Sequence, residues 1–303
     1  MATKLIVMCG LQCSGKSTKA EKLAKKYNAK ILSSDGYREI YPDATNDKIF
    51  NLLYTDMNRH LHSKQNVVFD ATNITIKSRT QIFQNLKEEC EKICWIMNTP
   101  IEKCYKRLEK RNNSEYPHKF RKEVIEKYYK SFQIPIKNEG WDKIEIENKP
   151  KYETSLIYDG MILRECEGFN QHNKFHTQEL GEHLRTVYGY LDSKTDDVLL
   201  KRAGLFHDIG KLFTQTYKPN DENAHYYNHE NVGTYELLTH TGIFDNEKYN
   251  KDKTLQWLAY INYHMVLHNI ESEKSINKWK KIFGNELYEK LKLHCEADKQ
   301  RKQ

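Results

Sequence analysis

The chain has 303 residues, enough for two ordinary domains with separate cores, and its make-up (38% hydrophobic, 30% charged, mean hydropathy -0.86) is that of a soluble globular protein. No stretch nears the roughly 18 apolar residues of a membrane span, which excludes a membrane partner from the expectations. Charge is uneven: residues 1–150 carry 28 Lys and Arg against 19 Asp and Glu, the rest 21 against 23, so a basic surface suited to a phosphorylated polymer is confined to the first half. The 7 cysteines are scattered without CxxC spacing, which favours reduced thiols over zinc or disulfides and implies a cytoplasmic setting.

Met1–Gly10 carries one lysine and a short apolar run that superficially resembles a secretory leader. The run flows directly into a glycine-rich turn, so it reads as a buried strand, Leu5–Cys9. Further strands are expected at Lys30–Ser33, Val67–Asp70, Ile93–Met97 and Lys143–Glu147, with helices from about Lys16, Asn46 and Ile76. Residues 101–132 read as two helices separated by Asn112-Asn113-Ser114 and Pro117. Such alternation implies an α/β domain, a parallel sheet with helices on both faces, over residues 1–147. A less regular linker is expected at 148–170, followed by an all-α domain at 171–303 whose helical periodicity begins at Phe175 and breaks at Gly210, Pro219-Asn220 and Gly242.

Gly10-Leu11-Gln12-Cys13-Ser14-Gly15-Lys16-Ser17 fits G-x-x-x-x-G-K-[ST] between an expected strand and an expected helix. Gly10 and Gly15 let backbone N–H groups wrap a phosphate, and the helix start through Thr18 adds its partial positive charge. Lys16 would neutralise the β- and γ-phosphates of ATP or another nucleoside triphosphate, and Ser17 would hold Mg²⁺. After the second strand, Asp35 could accept the proton of an attacking hydroxyl, and Arg38 could clamp a phosphate on the acceptor. Asp70 ends the third strand, where it could orient magnesium or the acceptor. Arg107 and Arg111, four apart on one helical face, stand where a lid would close on triphosphate. Together these residues resemble the 5′-OH polynucleotide kinase family over about residues 4–135. That resemblance implies Asp35 as general base, Arg38 as the contact to the acceptor's phosphate, and Arg111 with Arg107 as the lid pair.

Of the 13 histidines, most lie in the second half. Imidazoles and carboxylates without thiolates suit Mn, Ni, Co, Fe or Zn in an open, water-bearing site. Asp208, adjacent to His207, could bridge two such metals, with His183 and Asp298 completing the first and His229 and His264 binding the second. Lys211 would offer its charge to the scissile phosphate. This order resembles the HD phosphohydrolase superfamily over about residues 172–300. His176 and His225 match no ligand position and are expected to touch substrate.

A P-loop kinase joined to an HD domain is similar to the bacterial HD–polynucleotide kinase group, although there the HD domain comes first. The resemblance implies a bifunctional enzyme that phosphorylates 5′-OH ends of RNA or DNA and hydrolyses 2′,3′-cyclic, 2′- or 3′-phosphate ends, preparing them for a polynucleotide ligase. Two rival readings are a nucleoside or nucleotide kinase fused to an HD nucleotide phosphohydrolase, and a nucleotide-sensing regulator whose HD domain only binds.

Overall fold

The apolar runs of the first half pair as parallel strands. The structure, a computed structural model, describes residues 2–114, 119–149, 152–173, 178–241, 244–245, 248–270 and 272–300. Its strands are β1 (Lys4–Cys9), β2 (Ala29–Ser33), β3 (Asn66–Asp70), β4 (Glu91–Ile96) and β5 (Lys143–Ile146), in the sheet order β2-β3-β1-β4-β5. Strand β1 is central, with Leu5–Cys9 wholly buried, and its neighbours run parallel to it, Leu5 opposite Val67 and Lys92. Burial on both faces explains its unbroken apolar run. Helices α1 (Lys16–Tyr27), α2 (Ser34–Ile40), α3 (Asn46–His62), α4 (Ile76–Asn85), α5 (Ile101–Asn112) and α6 (Lys122–Tyr129) alternate with the strands. Since the strands are parallel, the loops after β1, β2 and β3 open on one edge of the sheet, where ligands of open α/β folds sit.

Beneath that edge lies a buried ion pair. Arg79 of α4 is fully buried and grips Glu139 through two hydrogen bonds, at 2.6 and 2.8 Å, while its third nitrogen donates to the Asn73 carbonyl at 3.1 Å. The fork geometry ties the loop after β3 to the segment before β5.

The remainder is helical: α7 (Tyr152–Cys166), α8 (Leu180–Lys194), α9 (Val198–Phe206), α10 (Lys211–Thr214), α11 (His229–His240), α12 (Lys251–Asn262) and α13 (Glu273–Asp298). Helices α11 and α12 are buried nearly all round, as core helices are. Helix α13 is interrupted at Gly284, whose φ of 76° only glycine adopts readily. The interruption leaves carbonyls without helical donors, and the Asn138 amide takes those of Lys281 and Ile282 at 2.9 and 2.7 Å.

After β2, Asp35 and Arg38 lie on the short helix α2. Residues 148–170 are not irregular, because α7 occupies most of them. The second half is helical as expected, with two small additions among the described residues: β6 (Thr216–Tyr217) and β7 (Ala224–His225) form an antiparallel hairpin around Pro219-Asn220, and β8 (Phe244–Asp245) pairs with β9 (Lys248–Tyr249). Pro117, Phe175, His176 and Gly242 lie outside the described residues. Finally, the chain divides into two compact units, Met1–Tyr128 with Glu139–Asn148, and Tyr129–Asn138 with Lys149–Gln303. The segment Tyr129–Asn138 therefore belongs to the helical unit. There Ile134 N–H donates to Asn262 at 2.7 Å, the Asn231 amide donates to the Lys130 carbonyl at 3.0 Å, and Phe132 packs edge-on against Tyr235.

Candidate active sites

The P-loop takes its shape from three constraints. Gly15 has a φ of 96°, in the left-handed region. A Cβ on Gly10 would lie 2.8 Å from that of Met97, so the turn after β1 requires glycine for close approach. Arg107 donates to the Cys13 carbonyl at 3.0 Å and Thr99 to the Ser14 carbonyl at 2.8 Å, holding the loop from the side of α5. Lys16 donates to the Leu11 carbonyl at 2.7 Å. Burial lowers its pKa, against the pull of Asp70 and Asp35. Asp70, at the buried end of β3, is raised by burial, while Lys16 and a hydrogen bond from Ser17 restrain it. A hydroxyl and a carboxylate so paired beside a lysine are the hard oxygen donors that Mg²⁺ takes alongside phosphates.

On another wall of the cleft, Ser33 caps α2 by accepting from Gly36 N–H, which sets Asp35 in the first helical turn. Arg38 meets Asp35 at 3.0 Å and Asn46 at 2.8 Å. Lys16, Ser17, Thr18, Gly15, Asp35, Arg38, Asp70, Arg107 and Arg111 all border one cavity of about 1110 Å³. Gly10 does not border it; its N–H donates to the Thr72 carbonyl at 3.0 Å behind the wall. The Arg111 guanidinium lies 4.9 Å from the Phe120 ring, a cation–π contact.

In the helical unit, His207 and Asp208 follow the end of α9, and the chain turns through Gly210 into α10. A Cβ on Gly210 would fall 1.9 Å from the His229 carbonyl oxygen and 2.7 Å from the Gly233 nitrogen. Only glycine permits this approach of backbone to α11, and it brings His229 to 2.9 Å from Asp208 Oδ1. The other carboxylate oxygen of Asp208 faces His183 at 3.5 Å and His207 at 3.4 Å. Asp298 Oδ1 lies 2.9 Å from His183 and 3.2 Å from His207. Two groups result, His183, His207, Asp208 and Asp298, and Asp208, His229 and His264, each with ligand atoms within 4.8 Å of one another. Asp208 belongs to both.

The donor chemistry fits two transition-metal ions. His207, His229 and His264 each direct Nδ1 to a backbone carbonyl (Gly204 at 3.0 Å, Tyr226 at 2.9 Å, Ile261 at 2.7 Å), so Nδ1 donates there and Nε2 is the nitrogen turned inward. Burial disfavours a charged His207, yet Asp208 and Asp298 push its pKa up to about 10. Asp298 is held well below the usual carboxylate range: His183 and His207 outweigh its burial. Two buried carboxylates thus demand positive charge at this point. Lys211 reaches Asp208 at 2.6 Å and Gln171 at 2.7 Å. His183, Asp208, Lys211, His225, His229 and Asp298 border a cavity of about 580 Å³, whereas His207 and His264 lie wholly buried behind it.

Two histidines escaped the sequence reading. His268 Nε2 lies 2.9 Å from Asp298 Oδ2, and Asp298 raises the pKa of His268 to about 9 against burial. His294 is fully buried, its ring 5.2 Å from that of His207, and among the described residues neither nitrogen has a hydrogen-bond partner. Helical spacing was the available signal: His268 stands four residues after His264, and His294 four before Asp298.

A P-loop nucleotide unit followed by a helical unit with paired His–Asp clusters defines the class. Residues 5–135 match the family described as an AAA domain, and residues 175–299 match the HD domain. The chain thus joins a kinase-like P-loop domain to an HD domain. Among solved structures it is similar to a chain of the Pnkp1/Rnl/Hen1 RNA repair complex, 27% identical over 42% of this chain and 43% of that one, with a TM-score of 0.38. A second structure of the Pnkp1/Rnl/Hen1 complex is 22% identical over 35% of this chain and 39% of its own, with a TM-score of 0.33. The chain therefore spans less than half the length of either. No curated protein matches it. Among the described residues, no helix is long and apolar enough to cross a membrane.

Proposed function

We propose that this chain heals nucleic-acid ends, phosphorylating a 5′-OH with ATP in the first unit and hydrolysing a 2′,3′-cyclic, 2′- or 3′-phosphate in the second. The observation that carries the reading is the Asp35–Arg38 pair, 3.0 Å apart and open to solvent on the wall of the nucleotide cleft. A carboxylate beside a guanidinium can accept a hydroxyl proton at Asp35 while Arg38 holds the acceptor's own phosphate, a feature of polynucleotides that free nucleosides lack. Lys16, Arg107 and Arg111 would spread the charge of the transferring phosphoryl group, with Ser17 and Asp70 holding Mg²⁺.

In the second unit, His183, His207, Asp208 and Asp298 would hold one metal and Asp208, His229 and His264 another. Bound there, the metals would supply Lewis acidity and an activated water. Lys211 would steady the scissile phosphate, and the backbone carbonyls that hold Nδ1 of His207, His229 and His264 would keep Nε2 of each turned toward the metals, which would displace any proton there. A polynucleotide ligase is the expected consumer of both products.

The test is to incubate the protein, ATP, Mg²⁺ and Mn²⁺ with RNA and DNA strands bearing a 5′-OH and a 2′,3′-cyclic or 3′-phosphate, and to follow both ends. The reading expects a new 5′-phosphate and loss of the terminal phosphate. Phosphorylation of free nucleosides with strands left untouched would overturn it in favour of a small-molecule kinase.

A further inference from the structure

The hairpin formed by β6 and β7 borders the HD cavity and carries aromatic rings that the chemistry above does not use. His225 on β7 lines the cavity, and its Nε2 is tied to Asp221 at 2.9 Å, which fixes the ring plane. The Tyr227 ring lies parallel to it, with centroids 5.4 Å apart and an interplanar angle of 5°. Tyr227 is 55% exposed and Tyr217, on the facing strand, 53%. A π-stack therefore runs from the cavity wall outward and ends on an open tyrosine. Lys218 places its ammonium 5.7 Å from the Tyr227 ring, adding a cation beside it.

On the inner side of the same wall, Tyr226 is held in place by hydrogen bonds. Its hydroxyl donates to the Gln171 carbonyl at 2.7 Å and accepts from the Gln215 amide at 2.9 Å. Lys211, the cation facing the metal-type cluster, lies 5.7 Å from the Tyr226 ring. The hairpin thus joins a phosphate-facing lysine to a solvent-facing stack. Tyr227 itself lies beyond the cavity lining, next to His225, which borders it, and this order suits a nucleotide with its phosphate inside and its base at the rim. Every nucleobase offers a π-face, so such a platform holds single-stranded ends with little sequence preference.

We infer that Tyr227, backed by His225, is the stacking site for the nucleobase of the strand's terminal nucleotide, whose phosphate enters the HD cavity. This rests on the end-healing reading and adds its substrate class: an unpaired terminal nucleotide recognised through its base. Tyr227 is a binding residue, and its contribution falls on KM.

The experiment uses the full chain loaded with Mn²⁺ and RNA oligonucleotides ending in a 2′,3′-cyclic phosphate or a 3′-phosphate, the terminal residue either carrying its base or abasic. One aromatic–base stack is worth roughly a five- to hundredfold change in affinity. The wild-type protein should show a lower KM for the base-bearing end by that factor, and in Tyr227→Ala the two KM values should converge, with Tyr227→Trp restoring the gap. Placing 2-aminopurine at the terminal position gives a reading independent of turnover. Its fluorescence should be quenched on binding to wild type and recover with Tyr227→Ala, while metal content stays constant. No base preference in wild type, or the same preference in Tyr227→Ala, overturns the inference and leaves the end-healing reading standing. A 2′,3′-cyclic mononucleotide with a KM equal to the oligonucleotide's overturns the assignment to a strand end. Hydrolysis of none of these ends by wild type would instead sink the reading beneath it.

Discussion

In the P-loop cleft, the side chains of Asp35 and Arg38 stand 53% and 39% exposed; in the HD cluster, those of His207 and Asp208 are 0% and 3% exposed. The first pair is held by one helical turn and mutual attraction, and water competes for both groups. The second is packed among helices, with Nδ1 of His207, His229 and His264 already committed to carbonyls. A site of the first kind acquires its working geometry when ligands fill it. One of the second kind is preorganised by folding, and the cost of burying its carboxylates is met there rather than at substrate binding. Substitutions in the cleft should therefore change rates and leave stability alone, while those in the cluster should change metal content and stability together.

The largest effect is expected from Asp208→Ala, which removes the carboxylate shared by both His–Asp groups. Elemental analysis should show bound transition metal falling from about two ions to under one. Phosphoesterase activity should vanish while 5′-phosphorylation continues. Retention of both ions would break the comparison, since the cluster would not depend on its bridging group. Next comes Asp35→Asn, expected to reduce 5′-phosphorylation about 10²–10⁴-fold with ATP affinity unchanged. Its urea midpoint should match wild type, and a clear loss of stability would show that the pair holds structure rather than a proton.

Glu139→Gln sharpens the contrast from inside the first unit. It leaves the buried Arg79 guanidinium without its carboxylate, and breaking such a pair costs about 3–5 kcal/mol of stability by denaturant titration. An effect under 1 kcal/mol would mean that Arg79 finds water or another acceptor. The smallest effect is expected from His268→Ala, which frees Asp298 Oδ2 and should weaken metal binding by roughly 10–100-fold, the usual scale for an outer partner. His268→Gln, which can still donate, should recover part of the loss in a metal titration.

The sheet was readable because buried parallel strands are short continuous apolar runs, and the observed ends fall within about two residues of those expected. The helix starts at Lys16, Asn46 and Ile76 were readable too, each following a glycine or threonine that closes the preceding turn. Helix α2 was missed because seven residues containing Gly36 are too few to show a 3.6-residue period. Helix α7 was missed because Leu156, Ile157 and Met161 are exposed, so its apolar residues do not mark a buried face. The P-loop residues and the His–Asp order were visible because phosphate and metal chemistry restrict residue type as well as spacing. His294 carries only a weaker mark. Its spacing from Asp298 puts it on the same helix face, but it makes no hydrogen bond among the described residues, and the packing against His207 appears only in three dimensions.

The return of the chain through Tyr129–Asn138 has a consequence for how these modules can be exchanged. Phe132 and Ile134 are completely buried in the helical unit, and only afterwards does the sequence supply β5 to the sheet. A single crossover near residue 150 would hand the sheet unit an orphaned apolar strap and leave α11 and α12 with an uncovered seam. Recombination of either half with a foreign partner would need two breakpoints, or a duplicate of that ten-residue strap carried on the recipient. Any exchange that respects this packing would thus move the two sets of candidate site residues together.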